Sequence, residues 1–140
     1  MKTYSVTQTI NADAAIIWSI LIDGSKYPEW NESVEKIDGN IGPNEAITVH
    51  AKNSQQAFPV KVVEFVPSQK MVWRGGMPLG LFTGTRIFTL SSDRDGSVEF
   101  HMQEDFTGLM APLITRSIPD LTPAFEQFAM GLKHKAESAP

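Results

Sequence analysis

Between Ser33 and Thr107 the sequence breaks into six short β-rich runs, each divided from the next by turn formers, and few architectures accept that pattern. The dividing clusters are Asp38-Gly39-Asn40, Asn53-Ser54-Gln55-Gln56, Pro67-Ser68-Gln69 and Ser92-Asp93-Arg94-Asp95-Gly96. They predict strands at Ser33 to Asp38, Glu45 to Lys52, Ala57 to Val66, Lys70 to Gly75, Leu81 to Ser91 and Ser97 to Thr107. Connections this short pair successive strands antiparallel. A further strand precedes them, because Thr3 to Ile10 alternates, with Tyr4, Val6, Gln8 and Ile10 on one side and Gln8 as the one polar mismatch.

Two helical stretches interrupt and close the β-rich region. Asn11-Ala12-Asp13 offers cap residues before an apolar run and Gly24 sits just past its end, which predicts a helix from Asp13 to Asp23 with Ile17 and Leu21 on its inner face. The stretch Ser25-Lys26-Tyr27-Pro28-Glu29-Trp30-Asn31 fits one short helical turn. After Gly108 the period changes, and Ile118, Leu121, Phe125, Phe128 and Leu132 make one apolar stripe at helical spacing. Pro112, Pro119 and Pro123 predict a short first piece, a break near Ser117 to Pro119, a long main helix, and a fraying tail at Glu137-Ser138-Ala139-Pro140. The order predicts an α+β fold in which a curved seven-stranded antiparallel sheet wraps its inner face around the C-terminal helix. A lipocalin-like barrel is the rival, but such barrels run strand to strand from the beginning, and the early helix opposes it.

Composition narrows function mainly by exclusion. At 140 residues the chain is expected to form one domain, residues 1–140, with no separate cofactor module and no cofactor. The absence of cysteine removes disulfides, thiolate nucleophiles and cysteine metal sites, and fits a reducing compartment. A net charge of −4 without a basic cluster disfavours nucleic acid. The longest apolar run, Ala14 to Ile22, is about half of what a bilayer crossing needs, so no membrane span is expected. Nothing near Met1 reads as a secretion signal, and the expected location is the cytoplasm.

Ile17-Trp18, Tyr27-Pro28-Glu29-Trp30-Asn31, Met71-Val72-Trp73 and Glu104-Asp105-Phe106-Thr107-Gly108, in that order and over nearly the whole chain, resemble the START-like (SRPBCC) superfamily, in its polyketide cyclase/dehydrase-like branch. Glu32 departs from the proline that usually follows Trp-Asn in related sequences. The resemblance implies a helix-grip fold of the Bet v 1/START type, with a deep and mostly apolar cavity between sheet and C-terminal helix. Its relatives include lipid carriers, hormone receptors, aromatic cyclases and chaperone activators.

The final two strands are the most informative for chemistry, since alternation assigns each side chain to a face. Val98, Phe100, Met102, Glu104 and Phe106 point inward, as do Phe82, Gly84, Arg86, Phe88 and Leu90 across the turn. Two opposite charges therefore enter the interior. With the loop centred near Arg94, Arg86 faces Met102 and Gly84 faces Glu104, leaving Arg86 diagonal to Glu104 at about 7–8 Å between backbones. Withdrawn from water, the pair must be bridged, hydrated or set at a cavity mouth. It either fixes the hairpin, orients a ligand, or uses Glu104 for proton transfer with Arg86 as its partner. Trp30, Phe58, Met71, Trp73, Phe82, Phe88, Phe100, Met102, Phe125 and Phe128 are expected to supply core and cavity wall.

Other motifs point away from catalysis by metal or serine. His50, His101 and His134 are scattered on polar phases without ligand spacing, so no metal is expected, and no Gly-x-Ser-x-Gly elbow occurs. Gly75-Gly76-Met77-Pro78-Leu79-Gly80-Leu81-Phe82 reads either as a mobile flap over an opening or as a longer hairpin connection. The expected partner is a small hydrophobic or aromatic molecule, bound by a monomer or homodimer. The alternatives are a cyclase or dehydratase using Glu104 and Arg86, and a protein-interaction domain, for which the sequence shows no obvious exposed apolar patch.

Overall fold

A computed structural model gives the fold of residues 1–52 and 57–138. The strands are β1 (Lys2–Ile10), β2 (Val34–Asp38), β3 (Ala46–Ala51), β4 (Ala57–Val66), β5 (Lys70–Met77), β6 (Phe82–Ser92) and β7 (Val98–Thr107). They form one antiparallel sheet in the order β1-β7-β6-β5-β4-β3-β2, so the first strand lies beside the last. The helices are α1 (Ala14–Leu21), α2 (Tyr27–Trp30), α3 (Ala111–Thr115) and α4 (Thr122–Glu137), with a single 3₁₀ turn at Gly24–Lys26. The curved sheet around a C-terminal helix is the one that the strand and helix order predicts, and it is the helix grip that the resemblance implies. The turn expected at Asn53-Ser54-Gln55-Gln56 lies outside the described residues.

Curvature comes from irregular pairing. Register shifts between Val34 and Lys36 and between Val62 and Glu64 insert bulges that bend the sheet. The second lets both Val62 and Phe65 face the core while Val63 stays exposed. The bent sheet closes on α4, whose buried face is Phe125, Phe128, Ala129, Leu132 and Ala136. Leu121 packs just before the helix, whereas Ile118 lies in the connection after α3, where proline stops the first piece.

Several local expectations change. Gly24 does not stop α1 in a left-handed conformation; Ile22 caps it, and Gly24 is buried where a Cβ would stand 3.2 Å from the Ile37 side chain. Asp13 precedes α1 without a side-chain cap bond. The stretch from Gly75 is not a long connection either: β5 and β6 stay paired to Met77 opposite Phe82, leaving a turn of four residues. Gly76 permits this, at φ 137° with its missing Cβ position only 2.3 Å from the Phe82 carbonyl oxygen.

Glu137, assigned to a fraying tail, is instead anchored. The Asn11 N–H donates to its Oε2 at 2.9 Å and Lys133 Nζ donates at 2.6 Å. Those bonds, the Asn11 one foremost, hold its carboxyl below the usual range. A carboxylate depressed in the folded state stabilises at pH values above its ordinary pKa, and that contribution disappears as pH falls through the folded value. Glu137→Gln is therefore expected to lower the melting temperature at pH 7 but not well below pH 4. Equal deficits at both pH values would show that the anchor does not depend on charge.

The surface also departs from expectation. Leu79 is 92% exposed, Leu109 84% and Leu113 63%, and all three belong to neighbouring segments at one end of the sheet. Large apolar side chains that the sequence did not mark as exposed are thus on the surface at this end of the sheet.

Candidate ligand-binding site

The last hairpin places its charges on the inner face, but two residues out of the predicted register. Arg86 stands directly opposite Glu104, and Gly84 opposite Phe106. The turn causes the shift: Asp95 Oδ1 accepts from the Ser97 N–H at 3.0 Å and from its hydroxyl at 2.6 Å, while the Asp93 N–H donates to the Ser97 carbonyl at 2.8 Å. These bonds centre the loop on Asp95 instead of Arg94. A displacement of two is one full strand period, so the faces are preserved while the partners change.

Register aligns a row across five strands: Tyr4, Glu104, Arg86, Trp73 and Val62 are successive cross-strand neighbours. Arg86 Nε donates to Glu104 Oε1 at 2.5 Å, with side chains 21% and 15% exposed, so the pair retains access to solvent. This is a one-point contact, not the bidentate fork that arginine can make. Among the described residues no other side chain accepts from the guanidinium. Its Cζ lies 4.9 Å from the centroid of the Phe125 ring, a cation–π contact between sheet and α4.

Aromatic rings frame this polar centre. Tyr4 lies 6.1 Å from Phe125 and 6.3 Å from Phe106, and Phe106 stacks on Phe82 at 5.7 Å. Gly84 presents no side chain here; a Cβ on it would meet Phe106 at 3.5 Å and Glu104 Oε2 at 3.7 Å, ordinary contact distances. The inner face beside the carboxylate is therefore open by at least a methyl group. Tyr27 stays a neutral phenol: burial raises its pKa far above the usual value, against the opposing charge of Arg86, and its hydroxyl donates to the Leu21 carbonyl at 2.7 Å.

The remaining predicted lining residues separate into groups. Met71, Trp73, Phe88, Phe100, Met102 and Phe128 are buried in one contiguous core, and Trp30 joins them from α2. Phe58 does not wall the interior. It is 46% exposed, because β4 pairs with β5 only from Lys61 onward and leaves Phe58 flanked by Val49 alone. Sequence reasoning passed over Tyr4 as a member of the site, although its inward phase on β1 and the β1–β7 pairing would have placed it beside Glu104.

Three buried polar atoms have no hydrogen-bond partner among the described residues: Trp30 Nε1, Trp73 Nε1 and Asn31 Nδ2. Buried donors are ordinarily satisfied, so each calls for an explanation. Trp73 is the cross-strand neighbour of Arg86, so one of these unpartnered donors belongs to a residue of the row. Two hollows lie elsewhere, a groove of about 720 Å³ outside α4 against Glu29, Trp30 and Glu126, and one of about 470 Å³ beside the 3₁₀ turn and Ile37–Ile41. Neither runs between sheet and α4.

The histidines stay apart. His50 pairs with Asp38 at 2.7 Å and His101 with Thr7 at 2.8 Å, and no group of metal-ligating side chains forms among the described residues.

Residues 1–137 match the protein family described as polyketide cyclase / dehydrase and lipid transport. The chain belongs to that family. Solved structures at low sequence identity share the fold. The Zhui aromatase/cyclase from Streptomyces sp. R1128 superposes with a TM-score of 0.76 at 12% identity, over 97% of this chain and 93% of that one. A hypothetical protein from Helicobacter pylori gives a TM-score of 0.79 at 15% identity, covering 96% and 88% of the two chains. A START superfamily protein from Mycobacterium smegmatis gives 0.69 at 17%, covering 96% and 97%. No curated protein matches the chain in sequence. Among the described residues no helix is long and apolar enough to cross a membrane. Within this family fold, Tyr4, Glu104, Arg86 and Trp73 are the polar and aromatic side chains of one cross-strand row.

Proposed function

We propose that this chain binds a small molecule with an apolar, ring-bearing body and a carbonyl or carboxylate end, held between sheet and α4 with Arg86 and Glu104 as its polar contacts. The observation that carries this reading is the one-point ion pair of Arg86 and Glu104 on the sheet's inner face, set against the Phe125 ring of α4. The guanidinium N–H groups that Glu104 does not engage are completed by a guest that brings acceptors. The reading treats the whole chain as one unit, supported by a core cluster that runs from Ile10 to Ala136. The absence of cysteine supports a reducing, cytoplasmic setting.

The test uses 8-anilinonaphthalene-1-sulfonate, an aromatic anion whose fluorescence reports entry into an apolar site. Arg86→Ala should weaken its binding at least tenfold, and Gly84→Leu, which fills the space beside Glu104, should do the same with Arg86 intact. Wild-type affinity in both variants, with native near-ultraviolet circular dichroism, would remove the interior site.

A second reading is favoured by Glu104 Oε2, which faces the opening above Gly84. There Glu104 takes a proton from a carbon next to a carbonyl, Arg86 stabilises the enolate oxygen, and return of the proton to a departing hydroxyl releases water. The family description and the fold shared with an aromatase/cyclase support it. Glu104→Gln would then abolish turnover of a hydroxy-ketone substrate while leaving its binding within a few fold, and undiminished turnover would dismiss this chemistry.

A further inference from the structure

The exposed leucines form a built feature, not a scatter of surface side chains. The turn between β5 and β6 is tied to the segment after β7 by two backbone bonds, Leu109 N–H to the Gly80 carbonyl at 3.2 Å and Met110 N–H to the Leu81 carbonyl at 2.8 Å. Leu79 holds a left-handed backbone at φ 62°, uncommon for leucine, at the tip of that turn. Leu113 follows one turn later on α3, where its N–H bonds the Met110 carbonyl. The result is a lip of three leucines on two clamped segments.

Both segments are free of charge. No acid or base occurs from Gly75 to Thr85, nor from Phe106 to Thr115, in a sequence where charged residues make up 20%. The first charge after Leu113 is Arg116, an exposed guanidinium at the end of α3. An uncharged apolar tip with an arginine behind it matches the depth profile of a lipid surface, where leucines enter the acyl boundary and guanidinium meets phosphate.

Area and charge select the occupant. Three leucine side chains amount to a few hundred Å², well below the ~800 Å² that each partner gives to a stable protein–protein interface. The aromatic rings nearest the lip, Phe82 and Phe106, stack on one another and supply no anchor for a second protein. A bilayer surface asks for no shape complementarity. The net charge of −4 opposes anionic membranes, so the matching surface is zwitterionic.

We propose that Leu79, Leu109 and Leu113 dock this protein on a zwitterionic lipid surface. Docking does not depend on what the interior binds. The full chain should co-float with phosphatidylcholine vesicles. The triple variant Leu79→Asn, Leu109→Ser, Leu113→Ser should reduce the bound fraction at least tenfold with its thermal midpoint unchanged; asparagine suits the left-handed position. Arg86→Ala should float like the parent, which separates this result from the interior-site test. The proposal is overturned by a parent chain that stays unbound, by equal flotation of the triple variant, or by a parent dimer in sedimentation that the triple variant makes monomeric without any vesicle binding.

Discussion

Gly131→Ala is expected to destabilise the protein by more than ~3 kcal/mol, against the ordinary preference of a helix for alanine over glycine of about 1 kcal/mol. Gly131 lies inside α4, and a Cβ there would stand 2.0 Å from the Trp30 carbonyl oxygen and 3.1 Å from its carbonyl carbon. The obstacle is backbone, so no rotamer change relieves it. Nor can the end of α2 retreat cheaply. Asn31 N–H bonds the Tyr27 carbonyl at 2.8 Å, Asn31 Oδ1 accepts from both the N–H and the hydroxyl of Ser33, and the Trp30 ring packs 5.3 Å from Phe128. Urea denaturation of Gly131→Ala beside Met130→Ala, an exposed neighbour expected to change stability by less than ~0.5 kcal/mol, isolates the effect. A stable Gly131→Ala protein would mean that α2 and α4 do not approach this closely.

Phe128→Ala should cost about 3–5 kcal/mol. Phe128 is the hub of the aromatic core, with ring centroids at 6.0 Å from Tyr27, 5.3 Å from Trp30, 5.9 Å from Phe88 and 6.2 Å from Phe100, the last nearly parallel. Removing it leaves an apolar void between sheet and helix, which benzene or a similar small arene should occupy, restoring part of the loss. Urea melts with and without benzene measure both quantities. A loss below about 1 kcal/mol would show that the interior around Phe128 is already hollow and that the guest site extends deeper than the row at Arg86.

The fold was legible because strand and helix periods survive in the sequence wherever one face is buried. Val98, Phe100 and Met102 alternate cleanly on β7, and Phe125, Phe128 and Leu132 repeat at helical spacing on α4. The facing of Arg86 and Glu104 was legible for the same reason. Their pairing was not, since it depends on which residue a turn carboxylate grips, and Asp95 and Asp93 are equally plausible in sequence. Gly24 misled because a buried close contact with Ile37 and a helix stop both call for glycine. Tyr4 escaped notice because its place beside Glu104 depends on the first strand joining the last. The leucine lip was illegible because it draws on two segments that become neighbours only when Leu109 and Met110 bond the Gly80 and Leu81 carbonyls.

The pairing of β1 with β7 also has a consequence for biosynthesis. Thr3 Oγ1 bonds Asp105 across 102 positions, and Tyr4 reaches Glu104 through the same ladder. During translation β1 must wait without its hydrogen-bonding neighbour until the chain through Thr107 has left the ribosome. The polar row therefore cannot assemble before β7 emerges, and a nascent polypeptide stalled before Phe106 carries a β1 edge open to mispairing.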